Sequence, residues 1–231
     1  VEVMVALDVS NSMLAEDYSP NRLERSKLAI ERLVDRLHGD RIGLILFAGQ
    51  SFVQLPITTD YVSAKIFLNS INTGSVPIQG TALADAIATS ARSFSTQSEN
   101  SRAIIIISDG EDHEGEVMDV ARSVAESGIR IYCIGVGSPE GKPIPMKGEL
   151  LKDNYGEIVV TRLDENTLRQ IAGIGNGLYV RAGNSEFGLN PIIDHIKEMD
   201  EQEFQSVVFE DFDDVKEGDL VEAFTMVEVE R

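Results

Sequence analysis

Residues 103–107 read Ala-Ile-Ile-Ile-Ile and stop abruptly at Ser108-Asp109-Gly110. Successive side chains of a strand point to opposite faces, so four isoleucines in a row require both faces to be covered. Such a strand belongs inside a parallel sheet flanked by helices. The rest of the chain is consistent with this. Residues 1–7 form a strand that runs into Asp8, and 42–48 and 129–136 read as further buried strands. Helical periodicity separates them. Over 22–37, Leu23, Ile30, Leu33, Val34 and Leu37 share one face. Residues 61–71 predict a helix with Val62, Ile66, Phe67 and Ile71 turned inward. Helices are also expected over 81–94, 116–126 and 190–204, and one capped by Asp164 over 164–172. A short strand over 52–55 is expected to end at Pro56. Asp153-Asn154-Tyr155-Gly156 carries turn chemistry for a hairpin within 150–160, and 178–181 reads as a last short strand. The fold class is therefore α/β: doubly wound, with a mostly parallel central sheet, helices on both faces, a short antiparallel edge strand and a small hairpin.

In sheets of this kind ligands bind beyond the carboxyl ends of the strands. Two strands here end in a carboxylate, at Asp8 and at Asp109. Asp8-Val9-Ser10-Asn11-Ser12 places a carboxylate and two hydroxyls at alternating positions, expected to project to one side as the first strand leaves the sheet. Thr81 follows Gly80 at the start of a helix. Asp8, Ser10, Ser12, Thr81 and Asp109 are all hard oxygen donors, suited to Mg²⁺, with Mn²⁺ or Ca²⁺ as alternatives, and unlike a zinc set.

Asp8, Ser10 and Ser12 form a DxSxS motif, and with Thr81 and Asp109 they resemble the complete metal-ion-dependent adhesion site of von Willebrand factor A (VWA) domains. The resemblance covers residues 1 to about 196. It implies a Rossmann-like VWA fold, a bound metal ion and a partner that supplies an acidic residue. Narrower likenesses lie in residues 3–13, Asn21-Arg22-Leu23-Glu24-Arg25, Phe47-Ala48-Gly49, residues 54–58 and residues 61–65. These look like the Bat (Bacteroides aerotolerance) proteins, in particular BatB. Membership would imply a bacterial envelope complex at the periplasmic face of the inner membrane. Its partners would be other Bat proteins or a MoxR-type AAA+ ATPase system. The rim around the ion would be Asn11, Met13, Gly80, Glu111 and His113. One departure stands out. Family members continue from a segment like 209–214 into a membrane helix, whereas residues 215–231 are too charged to span a bilayer.

Composition narrows the function classes. A net charge of −19 leaves no basic surface for a phosphate backbone, so nucleic acid is excluded as a partner. No apolar run reaches the ~18 residues of a spanning helix. Cys133 is the only cysteine, which excludes an internal disulfide and reads as a buried strand thiol. The chain opens inside a strand, which points to an excised fragment. Residues 1–200 are expected to form the VWA domain and 201–231 an acidic peripheral tail.

An enzyme would need a base or nucleophile beside the ion. The three histidines are His38, His113 and His195, of which only His113 lies near the motif, and Ser10 stands where phosphoryl-transfer enzymes carry a second aspartate. No small-molecule substrate is expected. Gly173-Ile174-Gly175-Asn176-Gly177 resembles a dinucleotide loop but leaves a helix and enters a strand, the reverse of the required order, so it reads as a turn. Arg22 and Arg25 read as solvated on the outer side of the first helix. Three readings stay open: a metal-dependent interaction module, a scaffold whose ion is structural with its partner bound elsewhere, and a more distant metal-dependent hydrolase.

Overall fold

The computed structural model describes residues 1–198, apart from 38, 96–99, 113–114 and 184–187. A six-stranded sheet forms its centre, built from β1 (Glu2–Asp8), β2 (Arg41–Phe47), β3 (Ser51–Thr58), β4 (Arg102–Ser108), β5 (Ile129–Gly135) and, near the end of the described chain, a short Tyr179–Arg181 strand. In order across the sheet these run Tyr179–Arg181, β5, β4, β1, β2, β3, all parallel except β3, which pairs antiparallel with β2. Between β5 and the last strand come four two-residue strands: β6 (Lys142–Pro143), β7 (Pro145–Met146), β8 (Glu149–Leu150) and β9 (Val160–Thr161). They pair as β6–β9 and β7–β8, and Tyr179–Arg181 is accordingly β10. The expected turn lies among them, with Asp153 Oδ1 accepting the Tyr155 and Glu157 amides.

The isoleucine run behaves as its pattern demands. Ile105 and Ile107 join Val3, Val5 and Leu7 in one core, while Ile104 and Ile106 join Met4 and Ala6 in a second core across the sheet. The first core is covered by α1 (Arg22–Arg36), α2 (Tyr61–Ser70) and a helix over 189–198. The second lies under α3 (Leu83–Arg92), α4 (Val117–Glu126) and α5 (Glu165–Ile174). Each isoleucine buried this fully contributes about 1.5–3 kcal/mol of transfer free energy, and the run therefore locks β4 at the sheet's centre. Asn21 caps α1 by accepting the Glu24 amide, and Asp164 caps α5 by accepting the Asn166 and Thr167 amides. Residues 175–177 form the turn that leads from α5 toward β10, and 173–174 are the last residues of the helix, so the segment leaves a helix as expected. Among the described residues no helix is long and apolar enough to cross a membrane.

Several expectations are corrected. β3 continues through Pro56 to Thr58 instead of stopping at 55. It is an edge strand, so a missing N–H costs little, and its pairing with β2 is already irregular between Leu44 and Ile42. On α2 the inward stripe is Ala64, Leu68 and then Ile71; Val62 (71%), Ile66 (65%) and Phe67 are exposed. The 64/68/71 spacing presents a small residue where the helix meets the sheet, which the bulkier 62/66/67 set does not. Arg22 is the largest fully buried side chain, contrary to the solvated position expected for it, while Arg25 is half-buried. α3 starts at Leu83, leaving Thr81 in the preceding loop.

Candidate functional site

β1 runs back into β2 on one side of itself, while β4 lies on its other side, so the connection direction reverses between β1 and β4. Pairing sets Leu7 opposite Ile107 and Asp8 opposite Phe47. Asp8 and Asp109 therefore leave neighbouring strands at the same carboxyl edge, at the switch point where open α/β sheets place ligands. Both are fully buried.

Asp8 is held from two sides: Ser108 Oγ donates to its Oδ2 at 2.6 Å, and the Ser10 amide donates to its Oδ1 at 2.9 Å. Burial first, and then the nearby Asp109 charge, push its pKa from 3.8 to about 7 against those hydrogen bonds. Ser10 and Ser12 converge, their hydroxyl oxygens 2.9 Å apart. The cause differs from the alternation expected. β1 ends at Asp8, and a 3-10 turn over Asn11–Leu14 swings Ser12 back toward Ser10. The same turn buries Met13 in the first core, at 0% exposure. Met13 is thus excluded from any partner rim, and its side chain anchors the loop instead.

The second loop is tied to the first, with the Asn11 amide donating to Gln79 Oε1 at 2.9 Å. The Gly49 amide donates to the Ile78 carbonyl and the Ala82 amide to the Ala48 carbonyl, which fixes Thr81 beside the end of β2. Gly80 has φ +131°, a conformation that side chains strongly disfavour, and a Cβ on Gly49 would stand 2.6 Å from the Gln79 carbonyl oxygen. Thr81 is buried, whereas Asn11 and Gly80 are half-buried.

Asp109 is held by groups that sequence reasoning missed. Its Oδ2 accepts from Arg22 Nη1 at 2.9 Å and from Thr161 Oγ1 at 3.0 Å. Arg22 also grips Asp17, with Nε and Nη2 each donating to one carboxylate oxygen at 2.7 Å. Asp17 Oδ2 in turn accepts the Ser138 amide. Arg22 sits in the first turn of α1, directly after the Asn21 cap, and Asp17 five residues before it was the only available signal. Glu111 is half-buried and accepts the Arg162 amide at 2.7 Å; burial raises its pKa, with Asp109 adding to the shift. His113 lies outside the described residues.

The donor set suits a hard cation. Two buried carboxylates lie at one edge, and burial, with the Asp109 charge adding to it, holds the Asp8 pKa up against its local hydrogen-bond donors. Among the described residues there is no cluster of three or more His, Cys, Asp or Glu that could hold a metal, so ligation here would rely on hydroxyls beside the two aspartates. His195 is remote from this edge, at 3.0 Å from the hydroxyl of Tyr132, which pairs with Ile105 in mid-sheet.

A von Willebrand factor type A domain model matches residues 3–111. An aerotolerance-related membrane protein from Bacteroides fragilis, solved with multiple mutations to serine, is 48% identical with a TM-score of 0.83, over 86% of this chain and 99% of that one. The conserved hypothetical protein BatB from Bacteroides thetaiotaomicron is also 48% identical, with a TM-score of 0.79 over 90% and 98%. Proximal thread matrix protein 1 from the mussel byssus, solved with zinc in its MIDAS motif, shares the fold alone, at 17% identity, a TM-score of 0.61, and 84% and 44% coverage. The chain spans about half to two thirds of the length of the curated relatives it matches. It covers 66% of an uncharacterized Borreliella burgdorferi protein, 27% identical over 98% of this chain, and 51% of a Mycolicibacterium gilvum UPF0353 protein. From the strand order, the carboxylate edge and these likenesses together, the chain belongs to the VWA domains of the Bat aerotolerance family and is BatB-like.

Proposed function

We propose that this domain is a divalent-metal-dependent protein–protein interaction module of a bacterial envelope complex. Asp8, Ser10, Ser12, Thr81 and Asp109 would hold the ion, with Mg²⁺ preferred and Mn²⁺ or Ca²⁺ able to replace it. The observation that carries the reading is the pair of fully buried aspartates at the ends of adjacent strands, with two convergent hydroxyls beside them. When bound, the ion would act as a Lewis acid that attracts an anionic oxygen. Two carboxylates and neutral hydroxyls leave a divalent charge under-compensated, so a partner Asp or Glu gains a charge-assisted bond there. Asn11, Gly80 and Glu111 border the site from three loops and would form the described part of the rim. A non-enzymatic role is supported by the likeness to the VWA domains of Bat proteins. The partners would be other Bat proteins or a MoxR-type ATPase system, at the periplasmic face of the inner membrane. Residues 1–200 would be the working domain and 201–231, outside the described residues, a peripheral tail.

Titration calorimetry with Mn²⁺ and Mg²⁺ tests the reading. Wild type should bind one ion, and Asp8→Ala and Asp109→Ala should bind it far more weakly. Equal affinity in all three proteins would overturn it.

A further inference from the structure

Arg22 is fully buried, yet it is neither part of the DxSxS motif nor a core packing residue in the ordinary sense. Its guanidinium uses both edges. Nε and Nη2 form a fork on Asp17, and Nη1 bonds Asp109 Oδ2 and, at 3.1 Å, Thr161 Oγ1. Asp17 is locked by the Ser138 amide, so the fork has a fixed base. The backbone makes room for it. Gly137 has φ +132°, and a Cβ there would lie 2.8 Å from the Arg22 guanidinium carbon.

The consequence falls on Asp109. Its Oδ2 is occupied by two donors, whereas the contact described for its Oδ1 is the Glu111 amide at 3.4 Å. A carboxylate free to rotate can offer a cation both oxygens; this one can offer Oδ1 alone. Its charge is also partly drawn toward the guanidinium, in a buried setting where such pairing is strong.

We infer that Arg22, braced by Asp17, is a positioning residue that keeps Asp109 a one-oxygen contributor to the ion, and so reserves a coordination position for water or a partner carboxylate. The inference rests on the metal-binding reading above. It assigns to a residue on α1, outside the ligand set, control over how open the ion is. Thr161 assists from β9, which places the small β6–β9 pair in the same service. Lysine could not replace Arg22, since an ammonium lacks the planar fork that spans two carboxylates at once.

The test uses the full chain and Mn²⁺ as the probe, with affinity from calorimetry and the number of exchangeable waters on bound Mn²⁺ from water-proton relaxation. The double variant Asp17→Asn/Arg22→Gln removes the grip while leaving net charge unchanged. It should bind Mn²⁺ roughly three- to tenfold more tightly and carry about one water fewer, because Asp109 can turn its second oxygen to the six-coordinate ion. Thr161→Val removes one of the two Oδ2 donors and should shift both readouts the same way by less. Unchanged affinity and hydration, or weaker binding, would overturn the inference; if the double variant fails to fold, Thr161→Val decides alone by the same criteria. Wild type that binds no Mn²⁺ would instead overturn the metal reading, a distinguishable result.

Discussion

Replacing Asp8 by asparagine should stabilise the metal-free protein while abolishing its metal affinity. The carboxylate is wholly buried, and burial together with Asp109 raises its pKa from 3.8 to about 7. Between those values the folded state holds a proton that the unfolded state has released. Stability therefore falls as pH rises from about 4, and the loss is complete above about 7. A pKa raised that far sets roughly 4 kcal/mol against the ionised folded form. The Asp8→Asn variant escapes that loss because its side-chain amide cannot ionise. It forfeits part of the bonding to Ser108 and Ser10, worth about 1–2 kcal/mol. The net expectation at pH 8 in chelator is a gain of about 2 kcal/mol, a rise in Tm of roughly 4–8 °C for a chain of this size. At pH 4 the gain should have vanished. Chemical denaturation at pH 8 and pH 4, with chelator and then with excess Mg²⁺, measures all of this. In Mg²⁺ the order should reverse, since only wild type gains binding free energy. A variant equally destabilised at both pH values would mean that Asp8 is an ordinary hydrogen-bonding core residue whose ionisation costs the fold nothing.

Met13→Ala should cost about 2–5 kcal/mol by denaturant titration, because Met13 is buried in the first core; a near-zero cost would restore it to the rim. Thr81→Ala should weaken binding of a carboxylate-bearing partner more than binding of Mn²⁺, by about 1.5–3 kcal/mol in paired calorimetric titrations, and equal losses would make Thr81 an ordinary ligand. Cys133 is fully buried on β5, and burial drives its pKa upward; a thiol reagent at pH 8 should label it only after denaturant is added. Truncation after residue 200 should leave Tm within a few degrees, and collapse of folding would make the tail integral to the domain.

The sheet was legible because its signal is local and redundant. Each central strand is a short, doubly buried run, and residues 103–107 admit no half-exposed reading. Asp8 and Asp109 were legible for the same reason, since a carboxylate ending an apolar strand advertises the sheet's carboxyl edge. What escaped depends on contacts distant in sequence. Arg22 reads as a solvated charge on a helix's first turn, and only Asp109 and Thr161, 87 and 139 residues away, show that it is buried. On α2 the apolar residues outnumber the inward positions, so composition favours the 62/66/67 set while packing selects Ala64, Leu68 and Ile71. Met13 was misplaced because an extended reading of the DxSxS loop ignores the 3-10 turn that folds it inward. Pro56 reads as a strand stop unless the strand is known to lie at the sheet's edge. Periodicity finds elements, then, but which face is inward and which charge is buried are settled by tertiary partners.

The most direct test of the adhesion mechanism is a crystal of the full chain grown with Mn²⁺ and acetate, with the ion located by its anomalous signal. One strong peak is expected among Asp8, Ser10, Ser12, Thr81 and Asp109, with at least one outward position taken by water, acetate or a neighbouring molecule's Asp or Glu. A peak elsewhere, or an ion enclosed by five or six ligands from this chain alone, would contradict it.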